Sequence, residues 1–315
     1  MRESYSLHWS EDGLLVRDMW PQFLPRIAQD KSLEKLQAHE KLPDNLHDLG
    51  AWAYVRRFAG KTSTPYTLLH ASEDLNTNDQ VREVFIRVQG YVLEANLEPL
   101  GDWDGTLAGA PKARQFLTLH GNVDTEPFNA QCDALSRIRD FILRRTHSAK
   151  SNQEQNGRIY LHNKVFTKVR PGTNQKSALH PMDDPFDRAK HVDRKWLVTK
   201  TIKFGFRDQA GKLKKLSHYA IKPGDFVDVK VYADISTYPH GETTETRVYF
   251  SVDRVVRLCA KADLPTVRFL YCGPEASLIV AQRTNEKQAE PEIVEEDDLT
   301  FDDEDATKQS FMAIE

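Results

Sequence analysis

The segment 158–170 constrains the fold more than any other part of the chain, because its side chains alternate at the two-residue period of a β-strand. One face is apolar apart from a single asparagine: Ile159, Leu161, Asn163, Val165, Thr167 and Val169. The opposite face interleaves aromatic rings with cations and a histidine: Tyr160, His162, Lys164, Phe166, Lys168 and Arg170. The pattern predicts a half-buried strand with a wet face of unusual composition.

This wet face has two interpretations. Aromatic rings stack on bases and basic side chains neutralise phosphates, so the mixture is typical of a surface that binds single-stranded nucleic acid. An ordinary amphipathic strand with a basic, solvated face has the same composition. The rest of the chain has to decide between the two.

Charge is distributed unevenly along a chain whose formal net charge is only -4. Residues 151–283 contain 23 Lys and Arg against 14 Asp and Glu, an excess of +9, whereas residues 284–315 contain 2 against 12, or -10. Residues 1–150 contain 18 against 21, or -3. Because a concentration of one charge attracts partners of the opposite charge, the middle of the chain is predicted to bind a polyanion.

The first half of the chain favours helices. Apolar residues at helical spacing, together with capping residues, predict helices over 44–58 and 125–147. In 76–96 the apolar residues recur at helical spacing but also alternate, so a helix is favoured and a strand stays open. A short strand is expected at 115–120. Residues 1–147 are therefore predicted to form a helix-rich α+β domain.

Residues 148–157 are polar, with Ala149 as their only aliphatic residue, which predicts a linker between two domains. About five extended segments follow, and the alternation slips near Arg254, which indicates a β-bulge. Five strands fit a small, partly open barrel of the OB type, whereas an immunoglobulin-like sandwich needs about seven. Residues 158–283 are therefore predicted to form a basic, OB-like β domain.

The acidic C-terminal segment, residues 284–315, is predicted to be disordered. Between Glu290 and Asp305 it has ten carboxylates and no cation, and such a segment buries too little apolar surface to fold alone. A purely solubilising tail needs no apolar residues, so those among the carboxylates favour partner docking or autoinhibition. These residues are Ile293, Val294, Leu299 and Phe301.

The candidate contacts to nucleic acid lie on the predicted β domain. The predicted stacking residues are Tyr160, Phe166, Trp196 and Tyr232, of which Phe166 and Trp196 also suit a hydrophobic core. The predicted phosphate-binding residues are Lys164, Lys168, Arg170, Lys200, Lys203 and Arg207.

Other classes of function find less support. The chain has no run of about 18 apolar residues and no secretory signal. Its three cysteines, Cys132, Cys259 and Cys272, cannot all pair and share no zinc-ligand spacing, so an intracellular protein, nuclear or cytoplasmic, is expected. No catalytic motif is present, and neither catalytic residues nor a cofactor or metal is predicted. A metal-dependent nuclease stays open as an alternative because the loop 180–193 carries His180, Asp183, Asp184, Asp187, His191 and Asp193.

A basic β domain with exposed rings, followed by an acidic tail, resembles the layout of single-stranded-DNA-binding proteins whose acidic tails engage partners. No family motif is matched. The predicted function is non-catalytic binding of single-stranded nucleic acid, with DNA favoured over RNA as the ligand. A protein partner that docks on the tail is a further expectation. The alternative is a structural or adaptor protein of a nucleoprotein assembly, in which the first half makes protein contacts.

Overall fold

The computed structural model describes residues 42–58, 66–71, 82–122, 125–148, 157–169, 175–208, 212–240 and 243–264. Its helices and strands are, in chain order, α1 (Leu46–Trp52), β1 (Ala53–Arg57), β2 (Tyr66–His70), β3 (Phe85–Asn96), β4 (Arg114–His120), α2 (Thr125–Arg145), β5 (Arg158–Lys164), β6 (Thr167–Lys168), β7 (Trp196–Leu197), β8 (Lys203–Arg207), β9 (Leu213–Lys215), β10 (Phe226–His240) and β11 (Thr243–Cys259). No helix in the described ranges is long and apolar enough to cross a membrane.

One nine-stranded sheet dominates the structure. Neighbours along its main path are β5-β4-β3-β10-β11-β8-β9. Each pair on this path is antiparallel except β11 and β8, which are parallel. β1 and β2 pair with each other and β2 joins β10, while β6 and β7 form a separate two-stranded sheet.

The predicted fold class is wrong. The described residues contain two α-helices rather than a helix-rich half, and β1 to β4 lie within the predicted helical domain. The sheet is also open, because its end strands β5 and β9 do not pair with each other, so the OB-like barrel is wrong as well. Most of the regular structure in the described ranges is β-sheet.

Strand β3 shows why helical spacing was misleading. It is buried on both faces, with Ile86 and Val88 on one side and Arg87 and Gln89 on the other. A strand covered on both sides need not alternate strictly between apolar and polar residues, and its apolar residues can then also match a helical period.

The first predicted helix is shorter than expected. Asn45 caps α1, since its side-chain oxygen accepts a hydrogen bond from the Asp48 amide at 2.9 Å. At Ala53 the chain leaves the helix and pairs with His70 of β2. Pairing between strands has therefore overridden the helical pattern of 53–58.

The helix predicted over 125–147 is confirmed as α2. Two hydrogen bonds fix it to β3: the Gln131 Nε2 donates to Gln89 O at 3.0 Å, and the Gln89 amide donates to Gln131 Oε1 at 2.8 Å. A Cβ at Gly90 would lie only 2.8 Å from the Phe128 ring, so helix and strand approach closely because Gly90 has no side chain.

Both predicted domains contribute to the main hydrophobic core. Ile86, Leu135, Ile159, Val229 and Phe250 are all almost fully buried in one cluster. β4 and β5 also pair across the predicted linker, of which residues 149–156 lie outside the described ranges. The division into two independently folding domains stays a prediction, and the shared sheet and core weigh against it.

The predicted bulge near Arg254 is confirmed. Lys230 pairs with Arg254 and Val231 pairs with Val252, which leaves Asp253 as the extra residue of β11. The bulge keeps Arg254 on the face of the sheet opposite to the core.

Asn163, the polar residue within the apolar face of β5, joins β5 to β11. Its Nδ2 donates to Val252 O at 2.6 Å, and its Oδ1 accepts from Val252 N at 2.5 Å. One residue earlier on each strand, Ser251 Oγ donates to His162 O at 3.0 Å. Side chains, rather than a backbone ladder, therefore hold these two strands together.

Candidate functional site

The surface that carries the candidate site is the face of the sheet opposite to the main core, which we call the outer face. Side chains alternate along each strand, and the register aligns those of neighbouring strands. Its members used below are Phe85 and Arg87 on β3, Tyr160, His162 and Lys164 on β5, Lys203 on β8, Lys230, Tyr232 and Asp234 on β10, and Tyr249, Ser251 and Arg254 on β11.

Tyr160 is the most accessible ring of the outer face. Its side chain is 55 % exposed, and it lies opposite Thr118 of β4. Ile159 and Leu161 on either side of it are buried in the core, so the strand holds the ring outward. An exposed ring on a rigid strand offers a planar apolar face on which a base can stack.

A second pair of rings lies in register on β3 and β10. Phe85 pairs with Tyr232, and their ring centroids are 6.0 Å apart in an edge-to-face arrangement. The Lys200 Nζ lies 4.6 Å from the Tyr232 centroid, and the Lys230 Nζ lies 4.5 Å from the Phe85 centroid. Rings and cations thus alternate in space, although each ring already has an ammonium group over it.

Cations from four neighbouring strands lie in one row. Arg87 pairs with Lys230, Lys230 with Arg254, and Arg254 with Lys203. Since neighbouring strands are about 4.8 Å apart, the row crosses the strands at close spacing. Such a row is suited to an anionic chain that crosses the sheet.

Arg87 is neutralised within the protein. Its Nε donates to Asp228 Oδ1 at 3.0 Å, its second nitrogen contacts the other oxygen, and Gln89 Nε2 donates to that same oxygen at 2.6 Å. Both charged residues are buried. This pair therefore stabilises the sheet at one end of the row, and the row continues through Lys230, Arg254 and Lys203.

The outer faces of β5 and β11 meet at His162 and Tyr249, whose ring centroids are 4.5 Å apart. The Lys164 Nζ donates to Ser236 Oγ at 2.9 Å and lies 3.5 Å from an Asp234 carboxylate oxygen. Tyr160 and Tyr232 therefore belong to one continuous surface, on which the charge of Lys164 is partly offset.

Two groups on this surface are shifted in pKa. Burial, followed by the nearby Arg114 guanidinium, lowers the pKa of His162. Burial, followed by the Asp234 and Glu83 carboxylates, raises the pKa of Tyr232 above its usual value. The imidazole is therefore neutral near pH 7, and the phenol keeps its proton.

Phe166 lies inside the protein rather than on the wet face. The strand ends at Lys164, and both Val165 and Phe166 then turn into a small cluster, where Phe166 is 3 % exposed. Its ring meets Trp103 edge-to-face at 4.9 Å. A base cannot reach it without local opening of the structure.

Lys168 and Trp196 lie together on the two-stranded sheet formed by β6 and β7. They pair in register, with Lys168 exposed and Trp196 half-buried against the small cluster. Arg170, the side chain of Arg207 and the four tail residues Ile293, Val294, Leu299 and Phe301 lie outside the described residues.

The loop 180–193 left a metal-dependent nuclease open as an alternative. In the structure the side chains of its Asp184 and His191 form contacts within the protein. The Asp184 carboxylate accepts hydrogen bonds from the amides of Arg188 (2.9 Å) and Ala189 (2.7 Å). His191 stacks on Trp103, with ring centroids 5.4 Å apart. Within the described part of the chain, no group of three or more His, Cys, Asp or Glu side chains is arranged to hold a metal ion.

Sequence reasoning did not select three rings and cations of this surface that the proposals below use. Phe85 lies in the segment 76–96, for which a helix was favoured; Lys230 was not among the candidate contacts, and Arg254 marked only the position of a bulge. Their pairing with Tyr232 and Lys203 depends on strand order. The alternation itself was a usable signal for Lys230, since it shares a face with Tyr232 on β10.

Comparison with known proteins gives distant structural matches only. The sequence matches no known protein family and no curated protein. The single-stranded DNA-binding protein from bacteriophage Enc34 in complex with ssDNA matches with a TM-score of 0.27 and 13 % identity, over 56 % of this chain and 87 % of that chain. A second structure of that protein covers 69 % of this chain and 95 % of its own, at the same TM-score and identity. By their names, these neighbours bind single-stranded DNA.

Proposed function

We propose that this protein binds single-stranded nucleic acid, DNA in the first instance, and catalyses no reaction on it. The observation that carries the proposal is the outer face, where Tyr160, Phe85 and Tyr232 are interspersed with cations. Proteins that bind single strands without sequence preference combine stacking rings with a basic track for the backbone.

Tyr160 supplies the clearest stacking site, because its ring is exposed and lies on a rigid strand. A base stacked on an aromatic ring contributes about 1–3 kcal/mol. Tyr232 is a second stacking site that opens when the Lys200 ammonium leaves its ring, and that cation–π contact stabilises the free state by only about 0.5–1 kcal/mol.

The phosphate contacts of the proposal are Lys164, Lys200 and Lys203 on the outer face, with Lys168 beside Trp196 as an extension along β6 and β7. Arg170 and Arg207 remain proposed contacts on the basis of sequence. Phe166 is left out because the ring is buried. An intracellular location belongs to the same proposal, since nucleic acid is found inside cells.

The acidic tail, residues 284–315, is proposed to compete with nucleic acid for the basic surface and to dock a partner protein. Residues 151–283 carry +9 and the tail carries -10. A tethered tail stays near its own surface at an effective concentration in the millimolar range. The docking residues of the proposal are Ile293, Val294, Leu299 and Phe301.

The test is a titration of the full-length protein with fluorescent oligomers of single-stranded DNA, duplex DNA and RNA at several salt concentrations. Log affinity for the single strand should fall linearly with log salt, at about -0.7 per phosphate contacted. Tyr160→Ala should weaken binding by about 1–3 kcal/mol with the salt slope unchanged, because stacking releases few counterions.

Phe186→Ala is the matched control. Phe186 is 83 % exposed but lies outside the nine-stranded sheet, in the polar loop between β6 and β7. It should leave oligonucleotide affinity unchanged. Tighter binding to RNA than to DNA would mean that RNA, rather than DNA, is the preferred ligand. Absence of binding to every oligomer at low salt would refute the proposal.

A structural or adaptor role is the second candidate, and one surface feature favours it. Met182 and Phe186 are 77 % and 83 % exposed, four residues apart on the same loop. Methionine and aromatic residues are enriched at protein interfaces relative to the rest of the surface. Should the oligomers fail to bind, loss of a co-purifying protein on Phe186→Ala would support the adaptor role.

A further inference from the structure

Arg254 is a largely buried residue whose cation has no anion beside it. Its side chain is 8 % exposed, and it forms no hydrogen bond or ion pair with any described residue. An arginine can bury its aliphatic stem while its charged head group stays at the surface. No guanidinium nitrogen of Arg254 is both buried and without a partner, so the head group reaches solvent, where an external anion can approach it.

The nearby carboxylates of the outer face are committed to other groups. Asp228 is held by Arg87 and Gln89, and Asp234 lies beside Lys164. Asp253, the extra residue of the bulge, forms no ion pair with Arg254. The guanidinium therefore keeps its charge and its five N–H donors for a ligand.

The register places two more cations beside Arg254. Lys230 lies opposite it on β10, and Lys203 lies opposite it on β8, where the lysine is exposed. Neighbouring strands lie about 4.8 Å apart, so both lysines are direct neighbours of Arg254 across the sheet. The Lys230 Nζ itself lies over the Phe85 ring, 4.5 Å from its centroid. Asp228 lies two residues before Lys230 on the same face of β10, and its charge is already neutralised by Arg87.

We infer that Arg254 binds a phosphodiester group of single-stranded nucleic acid, with Lys203 and Lys230 as flanking cations. This inference rests on the proposed function and adds the position and direction of the backbone. The Phe85–Tyr232 pair lies two residues along the strands from this row, a distance of about 6.8 Å. The backbone thus crosses the strands along the cations, and the bases lie over the rings.

The test compares Arg254→Met with Arg254→Lys in the full-length protein. Methionine keeps an unbranched chain in place while removing the charge. It should weaken binding to a single-stranded DNA oligomer by roughly 10- to 100-fold, as expected for a lost charged hydrogen bond, and lower the salt slope by about 0.7. Lysine should retain the slope and lose only part of the affinity, since it cannot bind bidentately.

The melting temperature separates a ligand-binding role from a structural one. It should be unchanged in Arg254→Met, because methionine keeps the buried stem and the guanidinium has no partner in the described part of the chain. The matched control is Arg257→Met on the same strand, whose guanidinium donates to Ala220 O at 3.0 Å. That variant removes the same charge but should keep oligomer affinity within about twofold, since Arg257 lies on the opposite face of β11.

Inorganic pyrophosphate provides a probe that does not require a nucleic acid. It should raise the melting temperature of the wild type and not that of Arg254→Met. Equal shifts in both proteins, or unchanged oligomer affinity in Arg254→Met, would overturn the inference while leaving the proposed function intact. A pyrophosphate shift that depends on Arg254, in a protein that binds no oligomer, would refute the proposed function and keep Arg254 as a phosphate-binding residue.

Discussion

Replacing Asn163 by leucine tests how β5, with its exposed Tyr160, is held against β11. The sequence pattern alone favours leucine, because Asn163 lies on the apolar face of its strand. In the structure both functional groups of its amide bond to the backbone of Val252, at 2.6 and 2.5 Å. Leucine has a similar branched shape but neither donates nor accepts hydrogen bonds. The Val252 amide and carbonyl would therefore lose their partners.

The expected effect follows from two opposing terms. Each buried backbone group left without a partner costs about 1–3 kcal/mol, which gives about 2–6 kcal/mol for the pair. Burial of the leucine side chain returns about 1.5–3 kcal/mol. The midpoints of these ranges are about 4 and about 2 kcal/mol, so we expect Asn163→Leu to lower the free energy of unfolding by about 2 kcal/mol.

Urea unfolding followed by circular dichroism measures this change. Ser251→Ala is the comparison, since it removes the bond from Ser251 Oγ to His162 O together with the weaker contact of Ser251 with the Tyr232 side chain, and should cost about 1 kcal/mol. An Asn163→Leu protein as stable as the wild type, or more stable, would mean that the two strands do not depend on the asparagine bridge.

Three further predictions concern charge. Asp228→Ala should lower the free energy of unfolding by about 3–5 kcal/mol in chemical denaturation, because it leaves Arg87 buried without its anion; a loss below 1 kcal/mol would contradict the pairing. The folded-state pKa of His162 is lowered, so the unfolded chain binds the proton more readily and stability should fall as pH drops below about 6.5; His162→Gln should flatten that decline, and an unchanged pH profile would show that other groups cause it. Deletion of residues 286–315 should tighten binding to single-stranded DNA, most at low salt, because added salt screens the tail from the basic surface; unchanged affinity at every salt concentration would leave the tail a solubilising role.

Local patterns in the sequence predicted features that depend on near neighbours. The helix α2 and the outward position of Tyr160 follow from periodicity within one element. The bulge beside Arg254 was visible for the same reason, as a slip in the alternation.

Features that depend on distant partners were not predictable in this way. Phe166 continues the alternation of β5, but the chain turns inward to meet Trp103, more than sixty residues earlier. The role proposed for Arg254 depends on Lys203 and Lys230, which the strand order brings beside it. No single window of sequence contains both sides of such a contact.

The pairing of β3 with β10 has a consequence for synthesis of the protein in the cell. β3 ends at Asn96, and β10 begins at Phe226. At translation rates of about 5–20 residues per second, the ribosome needs on the order of ten seconds to make the intervening chain. During that time one edge of β3 has no partner, and an unpaired apolar edge is a template for aggregation. We therefore expect the nascent chain to depend on chaperones until β10 and β11 emerge and complete the sheet.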